Sequence, residues 1–85
     1  GGDVAFEPYL ITLADDAEVY TEFRHEGVEF IYMLTGEVSY VHGDQSYHLK
    51  PGDSLLFDSA ELHGPGELIK RPITYLSIIV YRRDR

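Results

Sequence analysis

His25 and Glu29 stand four residues apart across a glycine-containing turn, and His63 lies at the end of a short strand beyond a Pro51-Gly52-Asp53 turn. Two imidazoles and one carboxylate can form a facial set of three ligands, which suits iron, manganese, nickel or zinc and leaves positions open for water or substrate. The same residues admit a plainer reading: His25 and Glu29 as a buried hydrogen-bonded pair, and His63 as a histidine satisfied within the core. Spacing alone does not choose between the two. His42 and His48 sit on a hairpin, one at its turn and one beside Tyr47 on an alternating strand, with no carboxylate or second histidine at ligand spacing. They are read as surface or cross-strand packing residues.

The elements that must position these groups are almost all strands. Apolar residues recur mostly at period two, and turn signals arrive every eight to twelve residues. Residues 4–13 form an opening strand that Pro8 confines to an edge or a bend. Residues 19–24 alternate so that Val19, Thr21, Phe23 and then His25 share one face. Residues 28–34 carry Glu29, Ile31 and Met33 on one face and Phe30, Tyr32 and Leu34 on the other, so the strand is expected to be covered on both sides. Thr35-Gly36 is a kink. Residues 37–41 and 45–49 flank His42-Gly43-Asp44, a hairpin signal because glycine takes the positive φ of tight turns. Lys50-Pro51-Gly52-Asp53 turns the chain into a strand over 54–57, and 73–81 (ITYLSIIVY) is the last strand and the richest in β-formers. About eight short strands predict an all-β fold closed into a double sheet or barrel, which removes exposed edges.

Composition narrows the function. Eighty-five residues allow one small domain, and 44% hydrophobic with 13% aromatic content is too apolar for a disordered segment. Fifteen acidic residues against seven basic ones give a net charge of −8, a poor match to a polyanion, so no direct nucleic-acid contact is expected. Absence of cysteine rules out disulfides, leaving barrel closure, a ligand or a partner subunit to stabilise so short a chain. No run of residues is long and apolar enough for a spanning helix and no signal peptide opens the chain, so no membrane partner is expected and cytoplasm is the default compartment. Residues 1–3, beginning Gly1-Gly2, are read as a cloning scar or linker remnant, 4–81 as a single domain and 82–85 as a solvated basic tail.

In its motifs the chain resembles the cupins, whose first motif in outline is G-x5-H-x-H-x3,4-E-x6-G and whose second is G-x5-P-x-G-x2-H-x3-N. His25-Glu26-Gly27-Val28-Glu29 supplies the H-x3-E, and Glu29 followed by six residues to Gly36 supplies the E-x6-G. Gly43, Pro51-Gly52-Asp53 and His63, ten residues after the aspartate, follow the spacing of small cupins. The likeness spans roughly residues 18–81. It departs from the pattern twice: Phe23 stands where the first histidine of H-x-H falls, and no asparagine closes the second motif after Glu67.

The resemblance implies a small double-stranded β-helix or jelly-roll barrel in which His25, Glu29 and His63 hold zinc, iron, manganese or nickel. The alternative is a metal-free pocket, dried by Phe23, where the same three residues anchor a ligand by hydrogen bonds. The expected ligand-binding set is Phe23, His25, Glu29, Met33, Phe57 and His63, although Met33 and Phe57, like Tyr32, Tyr75 and Ile79, are read first as core.

Within the cupins, the segment from Glu29 to Val38 and the Pro51-Gly52-Asp53-Ser54 turn followed by Phe57-Asp58-Ser59 look most like the C-terminal sensor domain of helix-turn-helix (XRE-type) transcriptional regulators. That likeness implies a non-catalytic module that binds a small-molecule effector, pairs as a homodimer and acts on DNA through an N-terminal domain absent from this chain. The runner-up is a free-standing metal-dependent cupin enzyme such as a dioxygenase, isomerase or lyase. A storage or structural barrel without a ligand is a third reading.

Overall fold

The computed structural model describes residues 3–83. They form five strands: β1 (Asp3–Leu13), β2 (Val28–His42), β3 (Gln45–Leu49), β4 (Ser54–Asp58) and β5 (His63–Arg83). Gly1-Gly2 and the end of the basic tail, Asp84-Arg85, lie outside the described residues. All pairings between strands are antiparallel. Among the described residues there is no helix, and none long and apolar enough to cross a membrane.

Fewer and longer strands appear than the turn signals predict, because β2 and β5 each run through a bend and serve two sheets. The first half of β2 (28–33) lies between β4 and the second half of β5, which in turn pairs with β1. The second half of β2 (38–42) lies between β3 and the first half of β5. Register shifts between Met33 and Val38 mark the change of sheet without breaking the β2–β5 ladder. Gly36 sits in that bend at φ 79°, where a Cβ would collide with the carbonyl oxygens of Lys70 and Pro72. The expected kink is therefore real, but it joins two half-strands instead of ending one. In β5 the corresponding bend carries a cis Arg71–Pro72 bond.

β1 pairs only with β5 and is an edge, the place that Pro8 requires. The 42–45 hairpin closes through Gly43 at φ 60°, with His42 opposite Gln45. Residues 19–24 differ from expectation: they form no strand and touch the sheet through the Phe23–His63 bridge and the bond from Tyr20 N–H to the Pro65 carbonyl. This strap edges the second sheet without completing a ladder.

The core between the sheets consists of Ile31, Met33, Val38, Tyr40, Leu49, Phe57, Ile73 and Tyr75. Full burial of side chains of this size contributes about 1.5–3 kcal/mol each. The alternation on β2 places Glu29, Ile31 and Met33 inward as predicted. Its other face is less covered than expected, since Val28, Tyr32 and Leu34 are exposed and Phe30 is half-buried.

Candidate metal and ligand site

A cavity of about 370 Å3 opens between the two sheets. β1 contributes Tyr9, Ile11 and Leu13 to its wall, the strap Glu18, Tyr20, Phe23 and His25, β2 Glu29 and Tyr40, and β5 His63, Pro65, Tyr75, Ser77 and Ile79.

Glu29 is the hub of its polar corner. Its carboxylate is buried, and Oε2 accepts a hydrogen bond from the Ser77 hydroxyl at 2.6 Å. Oε1 receives His25 Nε2 at 3.1 Å and His63 Nε2 at 3.3 Å. Each imidazole turns its other nitrogen to a backbone carbonyl: His63 Nδ1–H donates to Glu61 at 2.9 Å, and His25 Nδ1 lies 3.3 Å from the Glu26 oxygen. Those carbonyls are acceptors only, so an Nε2 that gives its lone pair to a metal leaves the Nδ1 proton facing a carbonyl, whereas in metal-free protein a hydrogen bond to Oε1 requires the proton on Nε2.

Local backbone explains the placement. The strap is fastened on both sides of His25: Phe23 exchanges two backbone bonds with His63, and His25 N–H donates to the Ser59 carbonyl. Gly64, at φ 153°, lies so close to the strap that a Cβ would collide with the Tyr20 carbonyl oxygen. Ser59 N–H in turn donates to the Gly27 carbonyl, tying the turn between His25 and Glu29 to the loop after β4. This gives Phe57-Asp58-Ser59 a physical role as a strut, although the Ser59 hydroxyl itself is buried without a partner.

Electrostatics bind the cluster together. Burial pushes the Glu29 carboxyl up, but hydrogen bonds from His63 and Ser77, the His63 charge and the bond from His25 outweigh it and hold the group below the usual carboxylate range. Burial likewise pushes His63 down, and the Glu29 hydrogen bond, the Glu61 carbonyl and the Glu29 charge bring it above the ordinary imidazole value. Without a metal, then, Glu29 and His63 each favour the other's ionised form.

The donor set also fits a divalent cation. One ligand atom from each of His25, Glu29 and His63 lies within 4.8 Å of the others. Donors about 2.1 Å from a common metal stand about 3.0 Å apart along an octahedral edge and about 3.4 Å along a tetrahedral one. The two nitrogen-to-carboxylate distances, 3.1 and 3.3 Å, fall within that range. Two neutral imidazoles and a carboxylate suit zinc, iron, manganese or nickel and do not select among them. No fourth protein ligand comes from Phe23, whose ring lines the cavity at its rim, half-exposed, 4.6 Å from Tyr20 and 6.3 Å from His63.

Of the expected ligand-binding residues, Phe23, His25, Glu29 and His63 line the cavity, whereas Met33 and Phe57 lie in the core behind it. Phe57 supports the site by packing its ring 4.8 Å from His63. Tyr75 and Ile79, read first as core, reach the cavity wall, and Tyr40 and Ser77 join them unforeseen. Ser77 carried a signal, being the one aliphatic hydroxyl on the inward face of Ile73, Tyr75, Ser77 and Ile79. His42 donates to the Asp58 carbonyl, and His48 finds a carboxylate partner that spacing did not reveal, Glu37 across the hairpin at 2.8 Å.

A double sheet sharing two bent strands, with histidines and a carboxylate gathered between its layers, defines a small jelly-roll barrel. The chain belongs to the cupin family, whose Cupin domain matches residues 9–79. No curated protein matches it in sequence. Among solved structures, it is similar to a cupin superfamily protein from Desulfitobacterium hafniense DCB-2, with a TM-score of 0.68 and 20% identity over 92% of this chain and 67% of the other. TT1209 from Thermus thermophilus aligns at a TM-score of 0.62 and 21% identity, over 95% and 74% of the two chains. HppE with iron(II) aligns at 0.65 and 22%, covering 89% of this chain and 42% of the other. The complex of HppE with cobalt(II) and substrate gives 0.65 and 23%, over 87% and 44%. At these identities the likeness is one of fold, and this chain spans less than half the length of HppE.

Proposed function

We propose that this cupin domain is a small-molecule sensor that holds a divalent metal through His25, Glu29 and His63, and serves as the effector-binding module of a cytoplasmic helix-turn-helix regulator. The observation that carries the reading is the convergence of those three residues on one corner of a largely apolar cavity. A metal bound there supplies a Lewis acid with open positions for a ligand oxygen. The protein's own share is to orient both Nε2 atoms through backbone carbonyls, fix the carboxylate through Ser77 and surround the corner with apolar wall. The regulator assignment draws on the Glu29–Val38 and Phe57-Asp58-Ser59 segments.

The homodimer is proposed to form through the outer face of the β1–β5–β2–β4 sheet. Val4, Phe6, Leu10, Val28, Tyr32 and Leu56 are exposed there. Cross-strand registers align Pro8, Ile78, Phe30 and Leu56 in one row, with neighbouring rows through Phe6 and Leu10. No charged side chain interrupts the centre, and Asp58 and Arg82 stand at the rim, the anatomy of an interface. Four strands and three rows span roughly 20 by 20 Å, so two such faces, with side-chain relief, bury on the order of 1,000 Å2, enough for a specific contact. A second copy presents the same uncharged grid.

Metal analysis and calorimetry test the sensor reading. Purified protein is expected to bind one zinc, iron, manganese or nickel per chain and to lose it in His63→Ala. The full-length gene product is expected to change its operator affinity when effector is added; no metal uptake, or an operator affinity indifferent to every ligand and metal tried, counts against it. A metal-dependent enzyme is the second reading, prompted by the HppE structures with iron(II) and with cobalt(II) and substrate; turnover by the metal-loaded domain would favour it.

A further inference from the structure

Two buried tyrosines line the cavity with no hydrogen-bond partner for their hydroxyls among the described residues. Tyr40 comes from the second sheet and Tyr75 from the first, both are 6% exposed or less, and both line the cavity wall. Neither hydroxyl hydrogen-bonds a protein atom among the described residues, yet neither is sealed off, since the Ser59 hydroxyl is the single fully enclosed side-chain group there without a partner. The hydroxyls therefore open into the cavity. Both stand near the polar corner: the Tyr40 ring stacks with its centroid 6.4 Å from that of His63, and Tyr75 lies two residues from Ser77, the hydrogen-bond partner of Glu29, on the same cavity-lining face of β5. Burial, with the Glu29 charge, keeps both phenols protonated at neutral pH, so each is an O–H donor awaiting an acceptor.

The rest of the wall limits what the acceptor belongs to. Among the described residues no lysine or arginine lines the cavity, so a multiply charged phosphate, sulfate ester or polycarboxylate meets no such cationic side chain there. Ile11, Leu13, Pro65 and Ile79 with the ring of Phe23 supply an apolar lining, and the volume of about 370 Å3 equals roughly a dozen waters at ~30 Å3 each. At the polar corner a divalent ion with the Glu29 carboxylate leaves one net positive charge, which a single anionic group neutralises, and the exposed Glu18 carboxylate, also in the lining, opposes a ligand carrying further negative charge.

The geometry points to a small apolar monocarboxylic acid as the ligand, its carboxylate held between the metal corner and the Tyr40 and Tyr75 hydroxyls and its aromatic or branched body lying against the aliphatic wall. This rests on the metal-assisted sensor reading and adds the ligand class and two specificity-determining residues.

Titration calorimetry of the zinc-loaded domain with benzoate, 4-methylpentanoate, benzamide, citrate and inorganic phosphate tests it, with zinc binding measured separately for each variant. Both monocarboxylates are expected to bind at least about tenfold tighter than benzamide, citrate or phosphate. Tyr40→Phe and Tyr75→Phe are each expected to weaken benzoate about tenfold, the effect of losing one hydrogen bond to a charged group, while zinc affinity stays unchanged. If zinc is held but benzamide or citrate binds as well as benzoate, or both variants bind benzoate normally, the ligand assignment is overturned and the metal site stands. A protein that takes up no zinc refutes the underlying reading, and the assignment falls with it.

Discussion

Replacing Glu29 with alanine tests whether the carboxylate is the buried hub of the site. The side chain accepts Ser77 Oγ at 2.6 Å and faces His25 and His63 at 3.1 and 3.3 Å. Ser77 is 4% exposed and His63 1%, so neither recovers its lost partner from bulk water. Each stranded buried donor costs about 1–3 kcal/mol, and removing one member of a buried ion pair costs about 3–5 kcal/mol. The two figures describe the same loss, so Glu29→Ala is expected to destabilise the metal-free protein by about 3–5 kcal/mol. At roughly 0.05–0.15 kcal/mol per residue, a chain of this length holds only about 4–13 kcal/mol in total. The variant therefore stands near the limit of folding. Glu29→Gln keeps the volume and one carbonyl acceptor and is expected to lose about 1–2 kcal/mol. Urea unfolding at fixed protein concentration, in the presence of a chelator, measures both through the midpoint at unchanged slope. A loss below about 1 kcal/mol for the alanine variant, with the slope preserved, would refute the placement of a buried, triply bonded carboxylate.

Other expectations follow from the same contacts. Ser59→Ala removes a buried hydroxyl that has no partner and is expected to leave stability unchanged or raise it by up to about 1 kcal/mol; a large loss in the same urea assay would mean that the hydroxyl is bonded. Gly64→Ala places a Cβ against the Tyr20 carbonyl at φ 153° and should cost about 2 kcal/mol or more, with zinc affinity falling as the strap shifts. Phe6→Asp combined with Leu56→Asp is expected to convert a dimer to a monomer by light scattering without loss of zinc binding, whereas a dimer that persists would exclude the outer face. In metal-free protein, Glu29 stabilises above the ordinary carboxylate pKa of about 4.5 and loses that contribution as acid brings pH through its lowered folded value. His63 stabilises fully below about 6.5 and loses its contribution as pH rises through its raised folded value. Stability is thus expected to be greatest between these limits, and a chelated protein whose midpoint climbs steadily from pH 5 to 9 would contradict the pair.

Much of the architecture was legible because turns and faces are local. Pro8 marked an edge, Gly43 a hairpin, Gly36 a bend, and the alternation over 28–34 put Glu29 inward with Ile31 and Met33. Strand length was not legible: whether Gly36 ends β2 or bends it depends on β5 holding the ladder across the bulge, a contact about 35 residues away in sequence. The strap over 19–24 alternates like a strand yet lacks a continuous partner row. Within the site, alternation told which face Tyr75 and Ile79 occupy but not that this face meets a void, nor that Met33 and Phe57 fall behind it.

The second half of β5 carries Tyr75, Ser77 and Ile79 toward the cavity and Leu76, Ile78 and Val80 toward the outside, residue by residue. A ligand that shifts the backbone under the first set would tilt the knobs on the reverse side with it. Were two copies to pair through that outer face, as proposed, occupancy inside the barrel and the angle at which they meet would be geared through a single ribbon one residue thick.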